Sequence, residues 1–294
     1  MKSPSQQKQS VFRRLTDWMG WTRASYYLLS GFLLTVFLIV YVWWPLAEEY
    51  LALVDWSGPW WLYIDWLLIG IFLVMSLLIM AGADLRADVW IVFVALIGGL
   101  VIESWGTQTE LWTYYTDERP PLWIIPAWPI ANLSINRLVR LLRRLTRTST
   151  KGAKRHEGKL ETFEPSRSSW IYPFAYWLIF PAFYALMLRF IWPTLNQSLT
   201  IMALILVGFL TLTPKDHRVA VLTFLAGAGL GYFLERWGTT RLCWTYYTRA
   251  TPPLFTVLAH GMAAVAFWRT ADVLRMMVAK LKPGQVFSRL SPSD

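Results

Sequence analysis

Two glutamates carry the clearest chemical signal in the chain. Glu103 opens the run ESWGTQTELWTYYTDERPPL at 103–122, and Glu235 opens ERWGTTRLCWTYYTRATPPL at 235–254. At an offset of 132, twelve of these twenty positions are identical. Each glutamate closes an apolar stretch, and ionisable groups at membrane depth are costly and tend to be functional. A carboxyl taken out of water is a candidate proton donor, and two of them can divide acid and base roles. Glu103 and Glu235 are therefore the expected catalytic pair. The plainer alternative is that each hydrogen-bonds its own loop from just below the surface.

Around them stand Trp105, Trp112, Tyr114 and Tyr115 in the first copy, and Trp237, Trp244, Tyr246 and Tyr247 in the second. Tryptophan and tyrosine gather at headgroup level in any membrane protein. Such belts fix composition rather than order, whereas Trp-Thr-Tyr-Tyr-Thr recurs letter for letter. A box of π faces can hold a polyene or stabilise a carbocation. These eight residues are the expected substrate contacts, together with His260, which could relay protons or simply be a satisfied histidine. His156 and His217 read as loop residues, and Cys243 is the one cysteine. No metal cluster, disulfide or cofactor is expected. No glycine-rich phosphate loop or nucleophile elbow occurs.

The elements that position these residues are apolar segments. The 294 residues are 55% apolar and 16% charged, against about 25% charged in soluble domains, with a mean hydropathy of +0.39. Eight segments approach the ~20 residues that cross a bilayer: 26–46, 59–81, 88–105, 121–138, 170–192, 197–213, 218–237 and 252–272. The fourth is interrupted by Asn132, Asn136 and Arg137, and the sixth is barely long enough, so six or seven spans are also compatible. The first run has no small-x-small site after it and reads as an anchor rather than a cleaved signal.

The offset of 132 also maps Asp84 to Asp216, Arg86 to Arg218, Gly99 to Gly231 and Arg137 to Arg269. The expected fold is thus an all-α, polytopic transmembrane bundle of about eight spans, built as two parallel four-span repeats. Its parts are a basic N-terminus at 1–25, a first repeat at 26–138, a basic linker at 139–169, a second repeat at 170–275 and a tail at 276–294. An even number of spans gives both copies one orientation, related by a pseudo-two-fold axis along the membrane normal. Small residues (Gly98, Gly99, Gly227, Gly229 and Gly231) could bring spans three and seven together at that axis. Asp84-x-Arg86 and Asp216-x-Arg218 read as cytoplasmic turn and cap residues.

The net charge of +10 is gathered in three clusters beside the apolar spans. The segment 137–169 alone has ten Lys or Arg against three Glu. Such clusters set topology or meet anionic lipid headgroups, here at the cytoplasmic face, rather than nucleic acid. The expected location is the cell (inner) membrane, multi-pass, with both termini and the linker cytoplasmic. Both motif loops then face outward.

The motif resembles the signature of the integral-membrane carotenoid hydratases, in the residues Glu103, Gly106, Tyr114 to Thr116, Pro121 and the run IIPAWP at 124–129. It covers about forty residues per copy and departs from the family in the doubling and spacing of the tyrosines. The resemblance implies addition of water across a terminal double bond of an isoprenoid. An acid protonates the alkene, π faces steady the tertiary cation, and a base activates water. A non-enzymatic reading stands beside it: a protein that binds or transports a lipid or small solute, or a structural part of an envelope complex. Near-symmetry of the motif favours binding, while Trp128-Pro129 standing opposite His260-Gly261 favours an enzyme.

Overall fold

The computed structural model describes residues 13, 16, 17, 19–153 and 168–280. The cytoplasmic placement expected for most of the N-terminus, for 154–167 of the linker and for the tail from 281 falls outside the described residues, as does His156. Among the described residues the chain is all-helical apart from two three-residue strands. Five helices are long and apolar enough to cross a membrane: Arg23–Val42, Leu85–Gln108, Trp170–Thr194, His217–Thr240 and Leu254–Ala279. Large apolar side chains lie bare on these and neighbouring helices, among them Phe37 at 71%, Ile205 at 67% and Leu212 at 70% exposure. Contiguous apolar surface of this kind belongs in lipid. This is a membrane protein.

The chain divides into two compact units, residues 1–88 and 89–294. In the first, α1 (Arg23–Val42) is followed by α2 (Trp44–Ala52) and α3 (Trp66–Met80). Ser25 serves α1 twice: its Oγ accepts from the Thr22 N–H at 3.0 Å and donates to the Met80 carbonyl at 2.8 Å. The Asp65 carboxylate caps α3 by accepting from the Leu68 N–H at 3.1 Å. Phe32 of α1 meets Phe72 of α3 edge-on at 6.0 Å.

The second unit holds most of α4 (Leu85–Gln108), then β1 (Trp112–Tyr114), α5 (Ala127–Ala153), α6 (Ser168–Ile191), α7 (Ser198–Leu212), α8 (His217–Thr240), β2 (Trp244–Tyr246) and α9 (Leu254–Lys280). Helix α8 is its centre and packs on α9, α5 and α6. Glycines permit this. A Cβ added to Gly227 would lie 2.7 Å from the Gly261 Cα, and one added to Gly261 would lie 2.4 Å from the Phe224 carbonyl oxygen. The two helices touch backbone to backbone.

Three expectations need adjustment. Helices α3 and α7 have 15 residues each, about 22 Å of helix against ~30 Å of hydrocarbon. Helix α5 starts at Ala127, after the 3-10 turn Leu122–Ile124, and bears Arg137, Arg140, Arg143 and Arg144. Its polar residues take it outside the five long apolar helices. The small residues of α4 and α8 do not seat these helices on each other: Gly98 abuts Phe267 of α9, Gly99 abuts Trp128 of α5, and Gly231 abuts His260 of α9. Each stripe receives an aromatic or imidazole ring. The Asp216 side chain caps α8 by accepting from the Val219 N–H at 3.0 Å, and Asp84 accepts from the Arg86 N–H at 3.0 Å.

Candidate functional site: a twin carboxylate cluster under a two-stranded antiparallel sheet

Helices α4 and α8 end alike. The Thr107 hydroxyl donates to the Glu103 carbonyl and the Thr239 hydroxyl to the Glu235 carbonyl, each at 2.6 Å. The chain then turns through left-handed residues, Glu110 at φ 59° and Leu242 at φ 57°. Leu111 and Cys243 donate back to the Gly106 and Gly238 carbonyls, each at 2.9 Å. These bonds satisfy carbonyls that a helix end otherwise leaves open.

The strands that follow pair with each other, antiparallel, as Trp112↔Tyr246, Thr113↔Thr245 and Tyr114↔Trp244. Flanking bonds match as well, Tyr115 N–H to the Cys243 carbonyl at 3.2 Å and Tyr247 N–H to the Leu111 carbonyl at 3.1 Å. Alternation along a strand sends the tryptophan and the first tyrosine of the doublet to one face and the threonine to the other. Further left-handed residues follow at Asp117 and Arg249, and the Arg119–Pro120 and Thr251–Pro252 bonds are both cis.

On that shared face lie the carboxylates, each 4% exposed. Glu103 accepts from Trp112 Nε1 at 3.0 Å and Trp128 Nε1 at 3.1 Å, and from the Tyr114 hydroxyl. Glu235 accepts from Trp244 Nε1 at 3.1 Å and from the Tyr246 hydroxyl at 2.8 and 2.9 Å. Its third partner is His260 Nε2, 2.9 Å from Oε1. Three partners on each carboxylate satisfy what burial would leave bare. Burial, with the nearby Glu103 charge, pushes the Tyr114 hydroxyl well above its usual range; burial and the Glu235 charge do the same to Tyr246. Both phenols stay protonated and donate.

The clusters are linked. Trp112 meets Tyr246 at 6.0 Å, and Tyr114 meets Trp244 at 5.9 Å. Trp128 stacks on His260, with centroids 5.8 Å apart and planes inclined by 21°.

Of the expected residues, the structure thus brings together Glu103, Glu235, Trp112, Tyr114, Trp244, Tyr246 and His260. Trp105 and Trp237 stand one layer out, edge-on to Trp112 at 6.0 Å and to Trp244 at 6.5 Å. Trp105 donates to Thr200 of α7 at 3.2 Å. The Tyr247 hydroxyl donates to the Phe190 carbonyl at 2.5 Å, and Tyr115 lies beside Cys243 and Glu118. Trp128 is the member that motif reading passed over. Its signal was the same offset of 132, which sets it opposite His260. Beside Tyr247 an open groove of about 560 Å³ is lined by Leu188, Arg189, Trp192 and Pro193. No group of three metal-ligating side chains occurs among the described residues.

No protein-family model, curated protein or solved structure matches this chain.

Proposed function

We propose that this protein is an eight-span membrane enzyme, two parallel four-span repeats with the paired strands on the outer side, whose twin carboxylates perform acid–base chemistry on an isoprenoid-like lipid. The observation that carries the reading is the one break in an otherwise matched cluster: Trp128 serves Glu103 where His260 serves Glu235. Acid and base need unlike surroundings, and here one carboxylate has an imidazole where the other has an indole. The substrate class comes from the resemblance to the carotenoid hydratases. In that chemistry a proton adds to one alkene carbon, the oxygen of water bonds to the cation left on the other, and a base removes the surplus proton. The aromatic rings offer π faces to such a cation.

The lipid and pigment profile of a deletion strain tests this. Complementation by the wild type should restore a missing oxygenated isoprenoid, and Glu235→Gln at matched expression should fail to do so. A Glu103→Gln, Glu235→Gln double variant that restores the profile removes both carboxyls from the chemistry.

A second reading, a protein that binds or carries a lipid, is favoured by the open groove beside Tyr247, whose walls are apolar apart from Arg189. Under it the two single Gln variants should act about equally, whereas acid and base roles make them differ.

Orientation has its own test. Single cysteines at the exposed positions Glu118 and Ala250 should react with an impermeant maleimide in intact cells, and one at exposed Asp84 should not. The native Cys243 is buried and should stay silent. Labelling at Asp84 without Glu118 reverses the topology.

A further inference from the structure

The two halves of the site differ in what can happen to a proton. Around Glu103 the partners are two indole N–H groups and one phenol. An indole nitrogen donates only, and cannot give up its proton near neutral pH. Those partners suit an ionised carboxylate and offer it no route for proton exchange other than the Tyr114 hydroxyl. Glu235 has the same indole and phenol in Trp244 and Tyr246, but its third neighbour is an imidazole 2.9 Å away. Imidazole is the one side-chain group that takes up and releases protons at ordinary pH without special tuning.

We propose that Glu235 and His260 form a proton-holding dyad, with one mobile proton between Oε1 and Nε2, while Glu103 remains a fixed acceptor. The proposal rests on the acid–base reading above and assigns its roles: the dyad delivers the proton, and Glu103 receives one. His260 acts through Glu235 and is a positioning and relay residue. The transfer moves one proton from Nε2 to Oε1, with the N–H bond breaking as the O–H bond forms; no electrons are exchanged.

Three further observations bear on it. His260 lies face to face with Trp128, so the ring, when protonated, stands over a tryptophan π face, which attracts cations. The imidazole side chain is 19% exposed and the Glu235 side chain 5%, so the histidine is the more open end of the dyad. The ionisable groups around the dyad are Glu103 from α4, Tyr114 from β1 and Tyr246 from β2; α5 contributes the neutral Trp128, and α6 carries Arg189 beside Tyr247. Two carboxylates in one buried cluster repel each other, and a cationic imidazole next to one of them offsets that repulsion.

The test is ¹⁵N NMR of ring-labelled histidine in the full chain in lipid nanodiscs, with the His260 signals assigned by their loss in His260→Gln. Between pH 5 and 8 the wild-type ring should exchange between singly and doubly protonated forms. In Glu235→Gln the doubly protonated fraction at pH 6 should fall about tenfold, as loss of a close opposite charge requires, and in Glu103→Gln it should change by about threefold or less. A wild-type ring that stays singly protonated over this range overturns the dyad without any variant. So does a Glu235→Gln ring that titrates like wild type. These readouts need no substrate. A titrating dyad in a protein whose deletion leaves the lipid profile unchanged supports the dyad and sinks the enzymatic reading; a lipid phenotype with an inert imidazole sinks the dyad alone.

Discussion

Gly106→Ala and Gly238→Ala should each lower the apparent unfolding temperature well below that of Gly229→Ala. A Cβ at Gly106 would stand 1.8 Å from Trp112 Cη2, and one at Gly238 would stand 1.9 Å from Trp244 Cη2. Neither glycine is needed for a turn; each is needed because the six-membered ring of an indole takes the space of its Cβ. The ring must move, and the Nε1 donor to the carboxylate moves with it. Overpacking costs about 1–3 kcal/mol, and loss of a hydrogen bond to a charged group about 1.5–3 kcal/mol more. A total near 3–5 kcal/mol per site is expected. Gly229→Ala is the control, since nothing lies within 4 Å of its added Cβ. It should be neutral or stabilising by up to about 1 kcal/mol, the helix propensity gained on leaving glycine. Thermal unfolding in detergent, followed by tryptophan fluorescence, compares the three. If Gly106→Ala behaves like Gly229→Ala, the indole does not occupy the place described for it.

Much of this site could be read from residue order because the motif occurs twice. Repetition singled out Glu103 and Glu235 from eighteen acidic residues, and it paired each with the tryptophan nine positions on and the tyrosine eleven positions on. What repetition could not give was the pairing between copies. The strands Trp112–Tyr114 and Trp244–Tyr246 are three residues long, far below the length at which alternation becomes a signal. Their pairing is a contact across 132 positions, decided by packing. The glycine stripes were legible as close-approach surfaces, but glycine does not name its partner. Trp128, Phe267 and His260 fill those gaps because their side chains fit where Cβ atoms are missing. Helix α5 stands outside the five long apolar helices for a related reason. Apolar residues mixed with arginines are a stripe, and hydropathy summed along the chain does not see stripes.

The same contrast between tryptophan and histidine predicts that the two conservative carboxyl replacements differ in folding as well as in chemistry. Glutamine has one acceptor oxygen and an amide that donates. In Glu103→Gln the oxygen can face Trp112 or Trp128, and whichever indole N–H is left then meets the amide hydrogens donor to donor. Rotating the Tyr114 hydroxyl relieves one contact but not that one. A buried donor without an acceptor costs about 1–3 kcal/mol. In Glu235→Gln the oxygen can take the Trp244 N–H while the amide donates to the Tyr246 oxygen and to His260 Nε2. That last bond needs only the other imidazole tautomer, so no donor is set against a donor at the carboxyl position. The expected cost is about 1 kcal/mol or less, close to that of exchanging a charged hydrogen bond for a neutral one. Glu103→Gln should therefore unfold at a lower temperature than Glu235→Gln, although the two carboxylates are equally buried. Adding Trp128→His to Glu103→Gln supplies a ring that can accept and should recover most of the lost stability. Equal unfolding temperatures for the two single variants, with no recovery in the double variant, would show that the third partner does not govern either carboxylate.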